Sequence, residues 1–191
     1  VKAMASQQVA PAYSRAKLLA GVDKLKAFTL SPEEVRHVPR ILAEAGVRLV
    51  LVEPMAGSKM DGACFWLEGD KPVIGMTLRF DRIDNFWFVL RHEIEHVLRE
   101  DGKANSQAVI DTDVGEDKAE LPECERQANA AGAEFCVSSA ELENFIARVQ
   151  PYFSEEKVLR FAQRINVHPG LVVGQLQRKL GRHDFLRKHQ V

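Results

Sequence analysis

Residues 84–98, Asp84-Asn85-Phe86-Trp87-Phe88-Val89-Leu90-Arg91-His92-Glu93-Ile94-Glu95-His96-Val97-Leu98, place two histidines one helical turn apart inside an apolar run. The periodicity predicts one amphipathic helix, started by Asp84 and stopped at Gly102. Residues i and i+4 share a helix face, so His92 and His96 can bind one Zn²⁺ through neutral ring nitrogens. Glu93, between them, is then directed at the water to be activated. This is the H-E-x-x-H zinc signature, and the chemistry it points to is hydrolysis with Glu93 as general base. The bland alternative is a pair of partly buried histidines hydrogen-bonded to their neighbours. Glu95 stands where many such motifs carry a small residue; Arg91 and Arg99 at i±4 assign it to the solvated face. Phe86, Trp87 and Phe88 read as core.

A catalytic zinc site takes three protein ligands and keeps one position open. The best third candidate is Glu125, in Pro122-Glu123-Cys124-Glu125-Arg126-Gln127-Ala128-Asn129-Ala130-Ala131-Gly132-Ala133-Glu134-Phe135, a second helix with proline in its first turn. Ala128 and Gly132 share the face of Glu125, and their small side chains let two helices approach closely. Asn129, one turn on, is placed to hydrogen-bond a ligand from outside the coordination sphere. Glu123 is the rival ligand, nearer the start of the helix.

Several stretches carry a resemblance. Leu78-Arg79-Phe80-Asp81-Arg82-Ile83-Asp84-Asn85-Phe86-Trp87-Phe88, the histidine motif, Glu125-Arg126-Gln127-Ala128-Asn129 and residues 165–177 together resemble the ImmA/IrrE metallopeptidases, closest to members fused behind a helix-turn-helix in HigA-type regulators. The likeness covers roughly residues 57–181. It implies a zinc-dependent peptidase-like domain whose characterised relatives cleave a partner transcriptional repressor under stress. By motif match it assigns His92, His96 and Glu125 to the metal and Glu93 to the base; Glu95 departs from the pattern.

Composition fits a compact enzyme. The chain has 191 residues, 46% of them hydrophobic, and a net charge of −1. With both signs mixed along the chain, no global field favours nucleic acid or an anionic membrane, so DNA binding by these residues alone is not expected. Cys64, Cys124 and Cys136 are widely spaced, without a C-x-x-C, which argues for a reducing compartment and against a disulfide framework or thiolate zinc site. With no signal peptide and no long apolar run, a cytoplasmic location is expected. The chain opens at Val1, so a longer gene product or a missing upstream domain is expected, with Met4 as an alternative start.

Residues 1–11 read as a linker, followed by a helix from Tyr13 to about Phe28. Ser31-Pro32-Glu33-Glu34 reads as a capping box opening a helix to Ala45 that bends at Pro39 and closes at Gly46. Three strands precede the metal helix, at 47–52, 63–67 and 72–78, with a polar turn at 59–62 and a hairpin turn at 68–71. Residues 100–121 read as a solvated acidic connection containing Asp111, Asp113, Glu116 and Asp117, with a second metal site as the lesser alternative. Ser154 caps a helix to about Ile165, and a last helix runs from Pro169 to Leu180. This pair has helix-turn-helix dimensions, but its second helix opens on aliphatics, so packing on the core is expected over base reading by Gln175, Gln177, Arg178 and Lys179. His168 reads as a turn or cap residue.

The expected fold is α+β and zincin-like, a small three-stranded sheet packed on the metal helix. The expected division is 1–28 linker and helix, 29–138 core, 139–191 helical segment. The expected activity is endopeptidase cleavage of a partner protein such as a repressor or a toxin-antitoxin partner. The alternative is a non-cleaving antitoxin or transcriptional regulator whose peptidase-like domain binds a partner or senses a ligand. The strand at 72–78 is a candidate edge for pairing with an extended substrate. No residue is an evident oxyanion stabiliser; Arg79 and Tyr152 are the nearest guesses.

Overall fold

The computed structural model describes residues 1–55, 57–114, 121–182 and 186–190, and they form an α+β fold around a mixed four-stranded sheet. Strands β1 (Arg48–Val52), β2 (Met60–Leu67), β3 (Lys71–Thr77) and β4 (Val109–Thr112) lie in the order β1-β3-β2-β4. β1 runs parallel to β3, and β2 is antiparallel to both its neighbours. Four strands replace the three expected. The extra one, β4, lies in the stretch read as a solvated connection and is held by pairing with β2, from which it is remote in sequence. Of the acidic residues named there, Glu116 and Asp117 lie outside the described residues. β3 is central, so the idea that residues 72–78 form a free edge fails: both sides of that strand are already hydrogen-bonded.

The long helix α4 (Ile83–Arg99) covers one face of the sheet, packed on β2 and β3. Its aromatic run is core as expected, with Phe86, Trp87 and Phe88 buried among Ile74, Leu90, Leu171 and Leu176. Asp84 is not the cap. It lies inside the first turn, buried and paired with Arg82 at 2.6 Å, where its charge complements the helix dipole. The helix also ends before Gly102, because Glu100 adopts a left-handed conformation (φ 59°) while its N–H bonds back to Val97 O and that of Asp101 to His96 O.

The N-terminus is not a plain linker. Residues Lys2–Gln7 form a short helix, α1, and Ala5 packs with Val50, Leu67 and Val73 on the sheet face opposite α4. An apolar sheet face left to water is unfavourable, which is what draws this otherwise polar segment down. α2 (Arg15–Ala27) starts at Ser14, whose hydroxyl accepts from the Lys17 N–H. The expected capping box does not form: Ser31 bonds the Glu33 carboxylate, and residues Pro32–His37 make a 3-10 turn. α3 (Val38–Glu44) then begins with Pro39 in its first turn, where the missing N–H costs no hydrogen bond, so the proline starts the helix and does not bend it.

Helices α5 (Glu123–Cys136), α6 (Ser139–Val149), α7 (Glu155–Arg164) and α8 (Pro169–Leu180) complete the fold. Ser154 caps α7, His168 caps α8 through its Nδ1, and Gly181 ends α8 in a left-handed conformation. α8 packs on α4 and α5, burying Gln175 and Gln177 and setting the Arg178 guanidinium 3.6 Å from the centre of the Phe88 ring. Lys179 pairs with Glu143. Among the described residues no helix is long and apolar enough to cross a membrane.

Candidate metal centre

Among the described residues α4 and α5 make the most extensive helix contact, and Gly132 is why they can. A Cβ there would lie 2.9 Å from the Phe88 carbonyl oxygen, so a larger residue would force the helices apart. The close approach carries Glu125 to the histidines: its Oε2 lies 3.4 Å from His92 Nε2, and its Oε1 lies 3.5 Å from His96 Nε2. The two Nε2 atoms are 3.0 Å apart. Glu123, the rival, is exposed and is taken up by Arg126 and Gln127. Glu95 pairs with Arg91 at 2.7 Å, away from the cluster.

Each imidazole is oriented from behind. His92 Nδ1 meets Asn129 Oδ1 at 3.1 Å, and His96 Nδ1 meets Asp101 Oδ2 at 2.9 Å. Both partners accept, so each Nδ1 carries a proton and each Nε2 is the ring atom left facing Asp111 and Glu125, able to give a metal its lone pair once any proton there is lost. Asn129 was legible from the helix repeat. Asp101 was not: it reaches His96 because the left-handed Glu100 folds the chain back beneath the helix end.

The residue that sequence reasoning placed wrongly is Asp111. Expected in a solvated connection, it lies on β4 and is only 4% exposed, with its Oδ2 3.6 Å from His92 Nε2 and 3.7 Å from His96 Nε2. His92, His96, Asp111 and Glu125 each offer one donor atom within 4.8 Å of all the others, a group able to hold a metal ion. The only local signal was an acidic residue after Val109-Ile110, too short a run to reveal a strand.

Glu93 is fully buried, and neither of its carboxyl oxygens has a hydrogen-bond partner. Burial first, then the charges of Asp111 and Glu125, push its pKa well above the usual carboxylate range. It lies against Gly62 of β2, where an added Cβ would stand 2.6 Å from the Glu93 Cδ. Burial alone would lower the His92 pKa, but the Asp111 and Glu125 carboxylates outweigh it and push it up to about 9. The same approach of the imidazoles holds Asp111 below its ordinary value, against the opposing effect of burial.

The cluster opens onto a cleft of about 250 Å³ lined by residues 110–114, Leu121, Pro122 and Asn129. Ile110, 58% exposed, gives it an apolar lip. Arg79 and Tyr152 do not line it. Arg79 is held by Asp61 and Asp113, at 3.3 and 2.8 Å, and Tyr152 is exposed. A scan against protein-family models finds no match, and comparison with curated proteins finds none either.

Proposed function

We propose that the protein is a zinc-dependent endopeptidase that hydrolyses a peptide bond in a partner protein, such as a bacterial transcriptional repressor. The observation that carries this reading is the convergence of His92 Nε2, His96 Nε2 and Glu125 beside the buried, unpartnered carboxyl of Glu93. The donor set suits the ion. Zn²⁺ with bonds of about 2.0–2.1 Å to nitrogen and oxygen has tetrahedral donor-to-donor edges of about 3.3–3.4 Å. The nitrogen-to-nitrogen and nitrogen-to-carboxylate separations in the cluster run from 3.0 to 3.7 Å.

His92, His96 and Glu125 would hold the ion, with Asn129 and Asp101 fixing the two imidazoles. Zn²⁺ bound there would polarise the scissile carbonyl, lower the pKa of water and, through its charge, draw the Glu93 carboxyl back towards ionisation. Glu93 takes a proton from the attacking water and delivers it to the leaving amine nitrogen. Its burial excludes competing solvent from that transfer. The cleft beside β4 receives the extended peptide, with Ile110 as an apolar contact.

The test is incubation of zinc-loaded protein with the repressor encoded beside it, with fragments read by mass spectrometry. Glu93→Gln should keep the metal while hydrolysis falls by about two to four orders of magnitude. Cleavage by the Gln variant at the parental rate would remove Glu93 as the base. The second reading, a regulator that binds its partner without cutting it, is favoured by one observation, the presence of Asp111 at the fourth corner of the donor set.

A further inference from the structure

We infer that Asp111 is a fourth protein ligand, so that the folded chain at rest fills the coordination position a hydrolytic water needs. The inference rests on the metal site proposed above. Three observations carry it. Asp111 Oδ2 is nearly equidistant from the two Nε2 atoms, at 3.6 and 3.7 Å, and lies within 4.8 Å of the Glu125 donor, close enough for one ion to be shared by all four. That oxygen is buried and makes no hydrogen bond, and its nearest partners are the two imidazole nitrogens themselves, so whatever ion they hold is shared with it. The third observation is that the strand bearing it is anchored at its far end. Asp113 accepts from Lys59 and Arg79, and the Val114 N–H donates to Asp61 at 2.9 Å.

Sites closed by four protein ligands are structural, whereas hydrolytic ones keep a position open. Asp111 therefore decides between the two functional readings. Cleavage requires its carboxylate to withdraw, and a chain in which it stays is the non-cleaving regulator. Withdrawal requires β4, a four-residue strand paired with β2 alone among the described residues, to give up the anchors at Asp113 and Val114.

The experiment titrates Co²⁺ into the metal-free full chain and reads the visible absorption, with azide as a probe of a free coordination position. The parent should take up one equivalent, show the intense bands of a four-coordinate ion, and leave them unchanged on adding azide. Asp111→Ala and Asp111→Asn should still bind Co²⁺ but respond to azide, with azide affinity at least about tenfold above the parent, because a tethered competitor has been removed. An azide response in the parent equal to that of Asp111→Ala would overturn the inference while leaving the metal site and the hydrolytic reading in place. Failure of the parent to bind Co²⁺ at all would remove the metal site, and this inference with it.

Discussion

Replacing Gly62 by alanine would put a methyl carbon 2.6 Å from Cδ and 3.0 Å from Cγ of Glu93, and nearer still to Oε1. Neither side can yield cheaply. Gly62 is paired to Met76 on one neighbouring strand and to Asp111 on the other, so the backbone cannot retreat without breaking the ladder. Glu93 is fully buried, so its carboxyl has no solvent to swing into. Overpacking of this kind costs about 1–3 kcal/mol. For a domain of this length each kcal/mol moves the melting temperature by about 2–4 °C, so a fall of about 2–12 °C is expected. A base displaced by about 1 Å should also lose about a hundredfold in rate. The three heavy atoms nearest the new methyl all belong to Glu93, so zinc stoichiometry should be unchanged. Thermal unfolding of four proteins decides the matter: the parent, Gly62→Ala, Glu93→Ala and the double variant. If the clash is with Glu93, the cost of Gly62→Ala largely disappears in the Glu93→Ala background. An equal drop in both backgrounds would refute the reasoning, as would a Gly62→Ala variant that melts and hydrolyses like the parent.

Three further outcomes follow from the same geometry. Glu125→Ala should lower zinc stoichiometry by elemental analysis while Glu123→Ala leaves it intact; the reverse pattern would exchange their roles. Asp101→Asn should weaken zinc binding by about 10–100-fold in a chelator competition, because the Asn amide no longer offers the carboxylate that orients His96. Metal-free protein should lose stability as pH rises from 6.5 to about 9, since His92 holds a proton in the folded state that the unfolded chain has already given up. Glu93, also raised, acts in the same direction, and Asp111, lowered, has its effect only in acid. Melting temperature against pH checks the sign, and a stability that rose across that window would contradict it.

The histidine-bearing helix and its partner were legible because their signal is local. An apolar repeat with histidines at 92 and 96, and a small-residue face at Ala128 and Gly132, are properties of single helices that any backbone of that pitch must express. Asn129 followed from the same repeat, and so did the burial of residues 86–88. What the sequence could not show depends on pairing across distance. β4 is four residues long and becomes a strand only because β2 is there to bond it, so Asp111 read as a loop acid until the sheet placed it beside the histidines. The central position of β3, the descent of Ala5 onto the sheet, and the contact of Gly62 with Glu93 are likewise decided by which surfaces meet. Residue periodicity records which face of an element is buried. Only the assembled sheet and helices decide what that face is buried against, and here that decides whether Asp111 joins the histidines and Glu125 or faces solvent.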